Sequence, residues 1–376
     1  MTQQRPPRLL MLSVGMGTGG AETLIRDSLP LLRREGFDVA LRVLKEGEPG
    51  MRAAGSSEAA PGMAPAYVPP VGLVNELRRG AYDLIHSHLF WANLIARGAG
   101  RWAGVRVIVN SHHGMDGWLS LSHRLLERST ACLADRIVVC SEAVRRCALD
   151  RVGLAPEKVV AIPNGIPMER FADRSRRESM RASLGLDAAV VVIGSVGRID
   201  EPVKGYSLLL EAMKIVSARS PGAICLVAGD GPARGRLEAA VRDQGLSHVV
   251  RFLGERHDIP EFLQGLDLYA QPSRLEGFGL SVLEAMASGL AVVATRTGGL
   301  PEVVDDGVTG TLVTPGDPGA LAEGLLGMIA DPARRAACAA AGALRARSLF
   351  PLSRMVAGWS GLYRALLAEK GRREAA

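Results

Sequence analysis

The chain has 376 residues, 47% hydrophobic and 22% charged, with a mean hydropathy of +0.13. That apolar content excludes a disordered or fibrous chain, and the length points to two domains. The net charge of +6 is uneven: residues 1–180 hold 24 basic and 18 acidic side chains, and residues 181–376 hold 21 of each. The first half carries the whole excess.

In chain order, short β-branched runs alternate with amphipathic stretches of helical length, the pattern of parallel α/β architecture. Strands are predicted at 8–14, 38–44, 83–87, 106–111, 136–140 and 159–162. After the turn Pro163-Asn164-Gly165-Ile166-Pro167 and a charged linker, Glu169–Arg181, the pattern restarts. Its second set of strands falls at 190–196, 224–228, 249–253, 267–271, 291–294 and 311–313. Helices are predicted over Ala21–Arg34, Tyr206–Arg219 and Leu280–Ser288, with a last one near Pro351–Lys370. Residues 46–66, rich in Gly, Ala, Pro and Ser, read as a mobile surface loop. His112–Ser122, with Gly114, Gly117 and Trp118, follows a strand end, where α/β folds place ligands.

No uncharged apolar run reaches the roughly 18 residues of a membrane span. The polar start Met1–Arg8 and the short apolar run Leu9–Val14 do not make a signal peptide. Five cysteines without a CxxC pair read as reduced thiols. A cytoplasmic protein is expected, with peripheral contact at the inner face of the plasma membrane left open.

The richest stretch runs from Pro272 to Ala287: a strand end, a glycine-rich turn and a helix start near Leu280. Free N–H groups at such a start suit a phosphate or diphosphate. Glu276 before the turn and Glu284 two helical turns later can accept paired sugar hydroxyls. The alternative makes them a loop residue and a solvated helix residue. Between Gly194 and Gly205, Arg198 and Lys204 are placed to meet one anion, or else to face solvent, with Arg198 paired to Asp200 or Glu201. The turn Gly229-Asp230-Gly231-Pro232 leaves room for a ligand or a neighbouring loop.

Early in the chain, Gly15, Gly17 and Gly20 fit G-x-G-x-x-G, a weak dinucleotide signal on its own. Asp38, the acid that would hold a ribose, precedes its strand and does not end it. His86 and His88 share a strand face that packing or a metal could use. Of His112 and His113, one can point outward.

Together these residues resemble the retaining glycosyltransferases of group 1, family 4 in the usual sequence classification. The likeness runs through Gly19–Glu22, the strand-ending histidine, Pro163–Ile166, Gly197-Arg198, Lys204-Gly205 and Gly229–Pro232. It continues through Glu276 and Glu284 to Gly298–Glu302 and Gly310–Val313. The resemblance implies an α/β GT-B fold: two Rossmann-like doubly wound domains facing a cleft. Residues 1–168 would form the acceptor-side domain and 169–355 the nucleotide-sugar domain, with 356–376 crossing back onto the first.

The same resemblance implies the site. Arg198 and Lys204 would hold the donor diphosphate, with Gly277, Phe278, Gly279 and Leu280 supplying the anion-binding turn. Glu284 would bind the ribose and Glu276 the transferred sugar. His113, followed by Gly114, would contact that sugar near the reacting centre. Gly19 and Gly20 would let their loop approach the phosphates, which displaces the dinucleotide reading of these glycines. His113, Arg198, Lys204 and Glu276 are thus the expected catalytic set. No Asp-x-Asp pair is present to hold a metal on a diphosphate, so no metal or other cofactor is expected.

The reaction implied moves a hexose or N-acetylhexosamine from a UDP- or GDP-sugar to an acceptor hydroxyl. Arg33/Arg34, Arg78/Arg79, Arg145/Arg146 and Arg174/Arg176/Arg177 suggest an anionic membrane and a lipid-linked glycan or phospholipid acceptor in cell-envelope polysaccharide synthesis. The alternatives are a soluble acceptor such as an aminocyclitol, and a GT-B epimerase acting on the nucleotide sugar itself. Nucleic acid is not an expected partner, because the basic residues lack interleaved aromatics.

Overall fold

The computed structural model describes residues 5–17, 19–44, 70–115, 120–173, 175–187 and 189–375. The expected loop 46–66, together with Gly117, Trp118 and Arg174, lies outside the described residues. The chain forms two units, Met1–Asn164 with Leu352–Ala376 and Gly165–Pro351. The sequence boundaries at 168 and 355 each lie four residues beyond these.

Unit 1 holds six parallel strands: β1 (Arg8–Ser13), β2 (Asp38–Val43), β3 (Leu84–His88), β4 (Val107–His112), β5 (Arg136–Val139) and β6 (Val159–Ala161), in the order β2-β1-β3-β4-β5-β6. Unit 2 holds β7 (Val191–Val196), β8 (Ala223–Ala228), β9 (Val250–Gly254), β10 (Leu268–Gln271), β11 (Ala291–Thr295) and β12 (Gly310–Val313), in the order β12-β11-β10-β7-β8-β9. Every strand expected from the sequence is present. Helices cover both faces, so the strands read as continuous apolar runs. Leu9, Leu10, Met11 and Leu12 are all fully buried, each contributing about 1.5–3 kcal/mol by leaving water.

The helix Leu352–Ala375 belongs to unit 1. Its Trp359 and Tyr363 are buried, and the Tyr363 ring meets Phe37 edge-on at 5.6 Å. Among the described residues no helix is long and apolar enough to cross a membrane.

The charged stretch Glu169–Arg181 is not the loose linker that its weak periodicity suggests. It folds into unit 2 as the turn Met168–Arg170 and the helix Arg177–Ser183. Arg177 and Arg181 both clasp Asp267, whose carboxylate also accepts the Val192 N–H at 2.8 Å. Burial opposes ionisation of Asp267, but that N–H and the two guanidinium groups hold its pKa below the ordinary value. Two charged side chains that looked solvated are therefore fasteners.

The charge asymmetry sharpens at the structural boundaries. Unit 1 carries 25 basic and 17 acidic side chains, net +8, and unit 2 carries 20 and 22, net −2. The proposed arginine patch is smaller than expected, since Arg176 and Arg177 fall in unit 2. Arg33/Arg34 and Arg78/Arg79 sit in the last turns of their helices, where cations meet the negative end of the helix dipole.

Candidate active site

In each unit the strand order reverses at one point, between β1 and β3 in unit 1 and between β7 and β10 in unit 2. Loops leaving neighbouring strands there diverge to opposite faces and open a crevice at the carboxyl ends. The expected site residues of unit 2 leave β7 and β10 at that point.

After β7 the chain passes Gly197 and Arg198 into a short helix, Glu201–Lys204. After β10 it runs from Pro272 to the helix Leu280–Ala287. The two loops are stitched together: Arg274 and Leu275 donate their N–H groups to the Val203 carbonyl at 2.8 and 3.1 Å. Lys204 Nζ lies 2.8 Å from Glu276 Oε2, with both side chains largely buried. Ser273 Oγ is 3.1 Å from the same oxygen.

Arg198 is exposed and pairs with neither Asp200 nor Glu201. Glu201 instead caps the next helix through the N–H and hydroxyl of Ser207. The Arg198 guanidinium has no hydrogen-bond or ion-pair partner among the described residues.

Gly279, at φ +95°, caps the helix Leu280–Ala287, and no side chain occupies the cap. The first N–H groups of that helix therefore stay open to an anion. Phe278 contributes backbone only, because its buried ring packs edge-on against Phe350 at 5.5 Å. Gly277 is buried, and Glu284 is half-buried one turn into the helix.

Two glycines explain why these loops can lie so close. Gly229 has φ +140°, and a Cβ there would sit 2.0 Å from the Gly197 carbonyl oxygen. The room left by Gly229-Asp230-Gly231 is thus filled by a neighbouring loop. Gly298 has φ +52°, and its Cβ would fall 1.7 Å from the Glu276 oxygen. Gly299 N–H then donates to that oxygen at 3.1 Å, fixing the backbone of Glu276.

In unit 1 the doubled histidine resolves. His112 is buried, with Nε2 3.1 Å from Glu127 Oε1, and Glu127 also pairs with the fully buried Arg97. Burial opposes ionisation of Glu127, but His112 and Arg97 carry its pKa down to about 2. His113 is the half-buried one; its Nε2 lies 2.9 Å from His88 Nδ1 and the two rings stack at 5.2 Å. His86 is no metal ligand here, because Tyr363 OH and Ser111 Oγ occupy its two nitrogens at 2.5 and 2.7 Å. Burial lowers its pKa to about 3.

Gly19 caps the helix Gly20–Arg34 after β1. A Cβ at Gly15 or Gly17 would meet no described atom within 4 Å. Asp38 opens β2 and pairs with Arg8 at 2.8 Å, so it is unavailable as the ribose-binding acid of a dinucleotide site. Gly19, Gly20 and His113 thus belong to unit 1, and Arg198, Lys204, Gly277–Leu280 and Glu284 to unit 2 with Glu276. No role was read for Gln271 or Ser273, although Ser273 stands inside the quoted motif, and His88, read with His86 as packing or a metal ligand, instead meets His113.

Two doubly wound parallel units, one with an uncapped helix start and a Lys–Glu pair at its switch point, define the GT-B class. The chain belongs to the group 1, family 4 glycosyltransferases. Residues 176–345 match the family model "Glycosyl transferases group 1", and residues 18–170 match "Glycosyltransferase Family 4".

Relatives named D-inositol 3-phosphate glycosyltransferase include one from Salinispora arenicola, 31% identical over 78% of this chain and 70% of that protein. Another, from Saccharomonospora viridis, is 34% identical over 68% of this chain and 64% of that protein. Among solved structures, sucrose-phosphate synthase from Thermosynechococcus elongatus shares the fold with a TM-score of 0.80 at 24% identity, covering 96% of this chain and all of that one. HepE of Anabaena, in complex with UDP-glucose, has a TM-score of 0.79 at 25% identity, covering 95% of this chain and 99% of that one.

Proposed function

We propose that this chain transfers a hexose or N-acetylhexosamine from a UDP- or GDP-linked donor to an acceptor hydroxyl, with retention and without a metal ion. One observation carries the reading: the Lys204–Glu276 pair, Arg198 without a partner among the described residues, and the open start of the helix Leu280–Ala287 all follow the carboxyl ends of two adjacent central strands.

The chemistry follows from that set. As the anomeric C–O bond breaks, its electron pair passes to the departing diphosphate, and the sugar ring becomes oxocarbenium-like. Arg198, Lys204 and the helix N–H groups stabilise the growing negative charge. Glu276 keeps Oε1 for sugar hydroxyls while Oε2 is engaged by Lys204 and Ser273. Glu284 takes the ribose hydroxyls. The acceptor oxygen bonds to the anomeric carbon on the leaving-group face, and its proton passes to the departing phosphate. No protein base is needed.

The UDP-glucose bound by HepE supports a uridine donor. The net +8 of unit 1 supports an acceptor that carries negative charge. The relatives named for D-inositol 3-phosphate support a small phosphorylated polyol. A second reading, a lipid-linked glycan or phospholipid approached at an anionic membrane, is favoured by the exposed side chains of Trp91, Leu121 and Leu125. Arg128 is exposed on the same helix as the two leucines.

The test is a panel of UDP- and GDP-sugars, run with and without EDTA, against inositol phosphates and against anionic vesicles carrying polyprenyl-phosphate glycans. Mass spectrometry identifies the product, and NMR its anomeric configuration. Transfer to the soluble phosphate that persists in EDTA supports the main reading, and transfer only on vesicles selects the second. An inverted product, loss of activity in EDTA, or sugar release without an acceptor overturns the corresponding part.

A further inference from the structure

Glu276 stands at the end of a continuous line of buried hydrogen bonds. Ser273 Oγ is 3.1 Å from Glu276 Oε2, and Gln271 Nε2 is 2.7 Å from Ser273 Oγ. Gln271 Oε1 is in turn 3.0 Å from Tyr269 OH and 3.2 Å from Ser281 Oγ. Tyr269, Gln271 and Ser273 are fully buried. Thr295 Oγ1 donates to the Ser273 carbonyl at 2.5 Å and fixes the backbone at the centre of the line.

The direction of the bonds from Glu276 to Gln271 follows from one charge. An ionised carboxylate only accepts, so the Ser273 hydroxyl must donate to Glu276. Its oxygen is then left to accept, which turns the Gln271 amide so that Nε2 faces Ser273. Gln271 Oε1 consequently faces Tyr269 and Ser281: the Ser281 hydroxyl donates to it, and the Tyr269 hydroxyl is shared between it and the Val196 carbonyl at 3.2 Å. Ser281 lies in the first turn of the helix whose open N–H groups form the anion site. The line therefore ties the diphosphate end of the site to the carboxylate at its sugar end.

We propose that Ser273 and Gln271 are positioning residues for Glu276: they saturate Oε2 together with Lys204 and so present Oε1 to the transferred sugar in one fixed orientation. A carboxylate free to rotate would spread its acceptor over many directions, and small misplacements at a reacting centre lower the rate steeply. The proposal rests on reading Glu276 as the group that meets the sugar.

The experiment compares Ser273→Ala, Ser273→Thr, Gln271→Met, Glu276→Ala and the double variant Ser273→Ala/Glu276→Ala. UDP and UDP-glucose are the probes, or GDP and GDP-mannose if the donor is a guanosine sugar. Ser273→Ala and Gln271→Met are expected to lower kcat by about 10- to 100-fold while the affinity for the bare nucleoside diphosphate stays that of the wild type. Ser273→Thr keeps the hydroxyl and restores most of the rate. The double variant is expected to be no slower than Glu276→Ala, since Ser273 acts only through that carboxylate.

Wild-type kcat in Ser273→Ala beside an inactive Glu276→Ala overturns the inference and leaves the site reading intact. Losses that multiply in the double variant overturn it too, as does weakened binding of the bare diphosphate. Normal turnover in Glu276→Ala removes the site reading itself. Should Ser273→Ala fail to fold, Gln271→Met carries the same comparison from the other side of the hydroxyl.

Discussion

Lys204 Nζ and Glu276 Oε2 are 2.8 Å apart although 72 residues separate them in sequence. Each is largely buried, on loops leaving two adjacent strands of one sheet. The pair holds a cation and an anion close together, the one proposed for the leaving phosphate and the other for sugar hydroxyls. Each neutralises the other while the site is empty. Lys204→Ala and Glu276→Ala should each lower turnover by about 100- to 1000-fold, the usual scale for losing a preorganised charge contact. Because the two act as a unit, the double variant should lose far less than the product of the single losses. Steady-state kinetics on folded variants decides, and near-normal turnover in either single variant refutes the assignment.

Arg198 should behave differently, since no described side chain pairs with it. Arg198→Ala leaves no buried charge behind and should not move the thermal midpoint. Affinity for a nucleoside diphosphate should fall by about 10- to 100-fold, as expected for losing hydrogen bonds between charged groups. Arg198→Lys restores charge but not the planar fork, so recovery should be partial. Calorimetric titration with UDP and GDP reads both effects. Unchanged affinity in Arg198→Ala counts against the diphosphate role.

Gly298→Ala tests whether close packing of backbones sets the site. Its Cβ would meet the Glu276 carbonyl oxygen at 1.7 Å, at a backbone angle that L side chains rarely adopt. The loop must move, at a cost on the order of 1–3 kcal/mol or more, and Glu276 moves with it. Gly235→Ala is the control, since its Cβ meets nothing within 4 Å and the residue lies in the helix Arg234–Asp243. It should be neutral or stabilising by up to about 1 kcal/mol. Equal melting points for the two variants would contradict this account.

Stability should fall as pH drops below neutrality. Burial keeps His86 neutral in the fold, with a pKa of about 3 against an ordinary 6.5, and burial lowers His88 in the same direction. Below pH 6.5 the unfolded chain binds protons that these folded rings refuse. Each histidine therefore removes about 1.4 kcal/mol of stability per pH unit between 6.5 and its folded pKa. Glu127, ionised in the fold down to about pH 2, adds a further loss as pH falls below its ordinary 4.5. Urea unfolding at pH 7, 6 and 5 measures the slope, and His88→Asn should reduce it. Equal stability at the three pH values would rule out neutral buried histidines as its source.

Much of this was legible along the chain. Strand positions, the restart of the α/β pattern and the glycine-rich turn before the helix Leu280–Ala287 follow from local signals: apolar runs of strand length, glycines at strand ends, and a helix start behind them. The dinucleotide reading of Gly15, Gly17 and Gly20 already failed on the placement of Asp38, and its pairing with Arg8 gives the physical form of that failure. The function of the charged stretch Glu169–Arg181 was not legible. Arg177 and Arg181 look solvated until Asp267, some 90 residues away, is brought to them.

The sequence by itself therefore determined which residues carry charge and where backbone must bend, because propensity, periodicity and glycine act over a few residues. Only the tertiary structure decided which charges meet. It buried His112 against Glu127 and left His113 at the strand end, a choice that one-residue alternation along β4 allows but does not assign to a face. It joined Lys204 to Glu276 and ran Gln271 and Ser273 behind that carboxylate, because sheet order places β7 beside β10. Burial then made those few hydrogen bonds strong enough to fix an orientation.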